Sequence, residues 1–196
     1  MVMTVEPVTL ASAVVRLEPL GRTHAEGLYE AGQDQDIWTY MPMNPSRSYE
    51  TLIEWITAAY SPHQLPFAII DVPSGKPVGS TRYLNIAEEH FGLEIGWTWL
   101  GKQVRRTAVN TECKYLLLQH AFESLHAIRV ALKTDSRNLR SQRAIERLGA
   151  VREGVLRKQM ILEDGYQRDT VMYSIIADEW PTVKALLQQM RTGASA

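Results

Sequence analysis

Cysteine is nearly absent from this 196-residue chain: Cys113 stands alone, so no internal disulfide can form. No basic stretch followed by an apolar core opens the sequence, and with one thiol the expected compartment is the cytoplasm. Long apolar runs are missing too. Pieces such as Phe67–Ile70 and Tyr115–Leu118 fall far short of the roughly 18 residues a membrane helix needs, which excludes a span. The five histidines (His24, His63, His90, His120, His126) form no i, i+4 pair and join no Cys/His cluster, so no metal site is expected. Charge of one sign is lacking, with 21 Lys and Arg against 22 Asp and Glu. Surface scaling lets a chain of this size bury roughly 70% of its surface, enough for one domain (1–196) without staples. The tail from about residue 190 is expected to be loose.

The balanced charge hides an asymmetry. Residues 101–160 hold 13 Lys and Arg against 5 Asp and Glu, and the rest of the chain is correspondingly acidic. Solvated helix faces and an anionic ligand both account for such a run, so its arrangement must decide. Aromatic stacking residues are sparse inside it, which argues against nucleic acid.

Period-two patterning predicts strands over about 13–20, 66–72, 76–86, 90–100, 127–134, 151–162 and 166–176. The last two are joined through Glu163-Asp164-Gly165, a hairpin signal. Helical spacing predicts helices over about 22–31, 34–41, 48–60 (apolar stripe Tyr49, Leu52, Ile53, Ile56), 107–124 and 138–148 (stopped by Gly149), with a last one capped by Asp178. The result is a mixed sheet with helices packed on it, α/β or α+β.

The most informative stretch is Gly101-Lys102-Gln103-Val104-Arg105-Arg106, a basic loop that ends a strand and feeds a long helix. Free N–H groups and the positive end of the helix dipole favour an anion there. In the next helix Asn138, Ser141, Ala144, Ile145 and Leu148 share the inner face, while Arg140, Arg143 and Arg147 form a stripe beside it. Asn138 reads first as a cap, and Ser141 lies too deep to be one. Cys113, in register with Val109, Leu116 and Leu117, reads as a core thiol.

Glu94-Ile95-Gly96-Trp97-Thr98-Trp99-Leu100, Gln103-Val104-Arg105-Arg106-Thr107-Ala108, Thr134–Ser141 and Arg147-Leu148-Gly149-Ala150 together resemble the GCN5-related N-acetyltransferases. Within them the chain looks most like the branch of the ribosomal-protein alanine and serine N-acetyltransferases. Val15–Leu20 with His24, Ile37–Pro42 and Asp164–Ile175 also fit, so the resemblance spans nearly the whole chain. It implies a mostly antiparallel twisted sheet of about seven strands, helices on both faces and a splayed central strand pair. It implies acetyl-CoA as cosubstrate, its pyrophosphate in the Gln103–Ala108 loop leading to Val109, its pantetheine arm against Trp99 and Leu100, and Asn138 and Arg143 near the coenzyme. Arg106 stands where the family normally has glycine, which puts loop geometry at issue.

The same resemblance implies acetyl transfer to a primary amine by direct attack in a ternary complex, without metal. Ile145 occupies the position of the tyrosine acid common in the superfamily, which leaves Ser141 as candidate acid. Glu94 is the candidate base, against a strand-edge surface role. Simple alternation puts Glu94, Gly96 and Thr98 on one face of their strand and Ile95, Trp97 and Trp99 on the other, without saying which faces the acceptor. Trp38, Tyr40, Met41, Trp97 and Tyr166 are candidate walls of the acceptor pocket, with core packing the alternative for each. The acceptor is a protein N-terminal α-amine or a small-molecule amine such as an antibiotic, a polyamine or an aminoacyl-nucleotide. An inactive coenzyme-binding homologue is the competing class, and a homodimer through the C-terminal hairpin is an open option.

Overall fold

The period-two segments fold into one sheet, and the computed structural model describes residues 2–192 of the chain. Its strands are β1 (Leu10–Ala11), β2 (Val15–Pro19), β3 (Leu65–Asp71), β4 (Lys76–Ala87), β5 (Gly92–Leu100), β6 (Arg129–Asp135), β7 (Val151–Ile161) and β8 (Gln167–Ile176). They lie in the order β1-β2-β3-β4-β5-β6-β8-β7. Neighbours run antiparallel except β5 and β6, which are parallel. The mostly antiparallel sheet with a central parallel pair is the expected architecture, and the eighth strand is the two-residue β1.

Five α-helices cover the sheet: α1 (Ala25–Ala31), α2 (Tyr49–Thr57), α3 (Val109–Gln119), α4 (Leu139–Arg147) and α5 (Trp180–Thr192). One core joins Leu28 of α1 and Leu52, Trp55 and Ile56 of α2 to Ala68, Ile70 and Trp99 of the sheet. A larger core on the other face joins Cys113 and Leu117 of α3, Ile145 and Leu148 of α4 and Leu187 of α5 to Phe67, Ile95, Val130 and Tyr173. Burial raises the Cys113 thiol to about 12, which makes it an inert core group. Gly149 ends α4 at φ +92, the left-handed conformation that favours glycine.

Several expected boundaries shift for local reasons. Residues 22–24 form a 3₁₀ turn ahead of α1, and the helix expected over 34–41 is a single turn, Gln35–Ile37, whose Asp34 cap accepts from the Asp36 amide. Ser48 caps α2, and the buried stripe is Leu52, Trp55 and Ile56, while Tyr49 is exposed. The last residues expected in the long helix widen into a π turn, His120–Ser124. Asp178 does not cap the last helix: residues 177–179 are a 3₁₀ turn, and the Ile176 amide donates to Glu179 Oε2 at 3.0 Å. Met190–Thr192 remain helical, and the rest of the expected loose tail, 193–196, lies outside the described residues.

Lys114 is the one cation of α3 placed inside the packing. Its Nζ donates to Thr98 Oγ1 at 2.7 Å, Thr98 in turn is 2.8 Å from Thr81 Oγ1, and no carboxylate pairs with the amine among the described residues. Burial lowers its pKa to about 8. Below that pH the folded and unfolded chains both carry the proton, and the folded state bears the cost of a buried charge. Between about 8 and the ordinary 10.5 only the unfolded chain keeps the proton, so stability rises with pH across this interval: the buried-charge cost is present in full below about 8 and relieved by 10.5. Lys114→Met is therefore expected to be more stable than the wild type at pH 7, by roughly 2–3 kcal/mol. That gap should narrow towards pH 10, as read by urea unfolding of both proteins across the interval. A gap independent of pH would refute the titration.

Candidate active site

The parallel pairing of β5 with β6 is short. It joins Gly92 to Arg129, Leu93 to Val130 and Glu94 to Ala131, and there it stops. Beyond that point β5 continues to Leu100 paired only with β4, and β6 continues to Asp135 paired only with β8. The strands part into a wedge, and the inner edge of Ile95–Leu100 presents main-chain groups with no strand opposite. An extended, amide-bearing ligand arm can complete such an edge.

A bulge lies inside the wedge. Arg82 pairs with Gly96 and Ser80 with Trp99, so β5 spends one more residue than β4 over the same span, and Trp97 adopts φ +50. The bulge corrects the facing expected from simple alternation. Trp97 joins Trp99 on the α1/α2 side, where its ring lies 6.1 Å from that of Trp55, whereas Thr98 faces Lys114 of α3. Cross-strand pairing of Leu84 with Glu94 and of Arg82 with Gly96 puts Glu94, Gly96 and Trp97 all on the α1/α2 side.

The basic loop follows at the end of β5. A 3₁₀ turn, Lys102–Val104, leads to Ala108, which caps α3 without a side-chain acceptor. The Val109 amide is taken up by Thr107 Oγ1, and Thr107 Oγ1 itself donates to the Val104 carbonyl at 2.7 Å. The Glu112 amide donates to the Ala108 carbonyl, and the Asn110 and Thr111 amides stay open among the described residues, so the helix start meets the requirement for holding phosphate. Val104 and Val109 turn their side chains into the core, so only their backbones can serve a ligand. Gln103, Arg106, Thr107 and Ala108 are exposed, as is Lys102. Arg105 differs from the free cation expected: its guanidinium is 3.1 Å from Asp34 and donates to the Leu100 carbonyl at 3.4 Å, tying the loop to the segment between α1 and α2.

Glu94 sits where the wedge opens and is not the surface glutamate of the competing reading. It is 3% exposed; Oε2 accepts from Asn85 at 3.0 Å and lies 3.2 Å from Lys133 Nζ, and Oε1 has no partner. Asn138 caps α4 by accepting from the Ser141 amide at 3.0 Å. Ser141 is half-buried on the inner face that carries Ile145, and Arg143 is exposed.

The aromatic candidates divide. Trp38 is a core residue, its indole donating to the Gly32 carbonyl and its ring 5.0 Å from that of buried Trp99, and Met41 packs partly buried beside it. Tyr40 and Tyr166 instead share one cation, Arg137, whose guanidinium lies 5.5 Å and 3.5 Å from their rings. Asp135 fixes that guanidinium through contacts of 3.0 and 2.7 Å. Burial acts to raise the pKa of Asp135, but Arg137 outweighs it and the carboxyl is lowered. A cavity of about 670 Å³ adjoins the loop from the opposite side, lined by Gln103, Thr107, Gly27, Glu30, Asp71 and Lys76, and it holds neither Glu94 nor Ser141.

The sequence reading took Asp135 and Arg137 as part of the Thr134–Ser141 motif and missed Asn85, Lys133 and Arg82, which the sheet brings to the face of Glu94. Only the cross-strand register relates them, although Arg82 within a run of buried strand residues carries a local signal.

Arg106 holds φ +63, so arginine occupies the left-handed conformation that favours glycine. Arg106→Gly is expected to stabilise the protein by up to about 1 kcal/mol, while Arg106→Ala gives no such gain. Thermal unfolding of the two variants beside the wild type checks this, and destabilisation by glycine would show the left-handed residue to be unstrained.

These features were compared with known proteins. The family model described as an acetyltransferase (GNAT) domain matches residues 15–151. A GCN5-related N-acetyltransferase from Brucella melitensis superposes with a TM-score of 0.91 at 30% identity, over 95% of this chain and 86% of that one. A chain from T. thermophilus, provisionally described as an acetyltransferase, gives 0.88 at 40% identity, over 96% and 99%. Mycobacterium smegmatis RimJ, solved in complex with CoA-disulfide, shares the fold at 0.79 and 20% identity, over 96% and 93%. No curated protein matches the sequence significantly. The domain match and the near full-length likeness agree with the wedge, the bulge and the open helix start: this chain belongs to the GCN5-related N-acetyltransferase superfamily.

Proposed function

We propose that the protein transfers an acetyl group from acetyl-CoA to a primary amine by direct attack within a ternary complex. The observation that carries this reading is the placing of a buried carboxylate with one free oxygen, Glu94 Oε1, at the point where β5 and β6 part. Of the Gln103–Val109 segment, the amides of Arg106, Thr107 and Ala108 have no partner among the described residues and are offered to the pyrophosphate, with Lys102 and Arg106 adding charge. The free edge of β5 near Trp99 and Leu100 offers main-chain partners to the pantetheine arm, and Asn138 and Arg143 border it from α4.

The chemistry needs a neutral amine. Glu94 takes the ammonium proton, directly or through water, while Lys133 and Asn85 hold the other oxygen of the carboxylate. The amine lone pair forms the C–N bond, the C–S bond breaks, and the thiolate accepts a proton. Ser141 supplies it in this reading. A thiolate leaves readily, so Ser141 matters less than Glu94. Tyr40, Met41, Trp97 and Tyr166 line the acceptor side in this reading, and Trp38 supports them from the core.

The test is thiol release from acetyl-CoA with peptides bearing free N-terminal amines and with small amines. Glu94→Gln is expected to lower kcat by about 10²–10⁴-fold and Ser141→Ala by tenfold or less, with acetyl-CoA binding retained in both. Coenzyme binding without acetylated product from any amine would overturn the transferase reading.

A further inference from the structure

Arg82 of β4 is a buried guanidinium without a carboxylate. It is 5% exposed and lies on the face of the sheet that carries Glu94. One nitrogen, Nη1, donates to Gln64 Oε1 at 3.1 Å, while Nε and Nη2 are buried without partners. The rings of Trp55 and Trp97 lie 4.4 and 5.1 Å from the guanidinium carbon, and the Trp55 indole N–H is likewise buried and unpartnered.

The other cations on this face have an acid nearby. Lys133 pairs with Glu94, Arg137 with Asp135, and Arg168 lies in the fields of Asp135 and Glu94. Burial alone lowers the Arg82 pKa, to about 10, with no neighbouring charge working against it. Ring faces attract the cation but leave its in-plane N–H groups unsatisfied, and each unmade bond to a charged group is costly. Two guanidinium nitrogens buried with no acceptor describe a place for an anion.

We propose that Arg82 is the specificity residue of the acceptor cleft, and that the acceptor is a primary amine carrying a carboxylate, as a free amino acid or an acidic peptide terminus does. This rests on the acetyl-transfer reading of the same site. Diagonal neighbours across antiparallel strands stand about 7–8 Å apart, which is the relation of Arg82 to Glu94. Side chains of this length can therefore engage one amine and its carboxylate together. Trp97 is the partly exposed member of the aromatic pair and stands at the bulge, so a ligand in the wedge meets the guanidinium past that ring. The planar fork of arginine suits a carboxylate in a way a lysine ammonium does not.

The experiment compares acceptors that differ only in the acid group: an amino acid against its amide, and a peptide opening Ala-Asp against one opening Ala-Asn. Thiol release gives kcat/KM, and tryptophan fluorescence of the CoA-bound protein gives binding of the acetylated acid against the acetylated amide without turnover. The expected result is at least a tenfold preference for the acid in one of the two arms, which identifies the source. Arg82→Gln reduces the preference below threefold and Arg82→Lys leaves it intermediate. Wild-type discrimination stands as a test even if a variant fails to fold. Equal turnover of acid and amide overturns the role of Arg82 while upholding acetyl transfer, as does a preference undiminished in Arg82→Gln. Acid-selective binding with no turnover upholds Arg82 and counts against the transferase reading. Absence of both turnover and selective binding overturns the two together.

Discussion

The site depends on one short parallel pairing. Three residues of β5 meet three of β6, and the contact ends at Glu94 and Ala131. Had the two strands stayed together to their ends, the inner edge of β5 would be saturated and no gap would open beside Glu94. Had they never met, nothing would fix the distance between the loop ahead of α3 and the start of α4. The antiparallel pairings outside, β4 with β5 and β6 with β8, keep each strand in the sheet past the point of parting, so the wedge is a property of the whole sheet.

Among the described residues six non-glycine side chains sit on left-handed backbone, and two of them, Trp97 and Arg106, shape the strand and the loop beside the wedge. Trp97 at φ +50 makes the bulge, and Arg106 at φ +63 shapes the loop before α3. Each such residue costs of order 1–3 kcal/mol and persists because its surroundings over-determine it. For Trp97 the surroundings are the Trp55 ring and the guanidinium of Arg82. For the loop they are the Thr107 hydroxyl, bonded to the Val104 carbonyl and the Val109 amide, and the contacts of Arg105.

Much of this was legible in the sequence. Period-two runs located the strands, since strand alternation survives wherever one face is buried. The basic loop and the resemblance around it located the helix start, because those features are contiguous along the chain. What escaped was whatever the chain folds together from a distance. Alternation could not foresee that one extra residue at Trp97 turns its ring towards α2, since a bulge shows only against a partner strand. Lys133, Asn85 and Arg82 reach the face of Glu94 through register alone. Nor could the run Lys102, Arg105, Arg106 reveal that its middle cation turns away to Asp34. Trp38 read equally as pocket wall or core, and the Gly32 carbonyl, which no pattern signals, satisfies its indole in the core.

The ion pair of Arg105 with Asp34 joins the loop ahead of α3, which the proposed function gives to the coenzyme, to the segment between α1 and α2, which it gives to the acceptor side. At about one-fifth side-chain exposure it is better shielded from salt than a surface pair. Any ligand that shifts one of these segments therefore acts on the other. Linkage makes such an influence reciprocal: the factor by which one substrate alters the affinity for the second equals the factor in the reverse direction. In the proposed ternary complex a single side chain thus gives the two substrate-binding halves a channel for thermodynamic cooperativity.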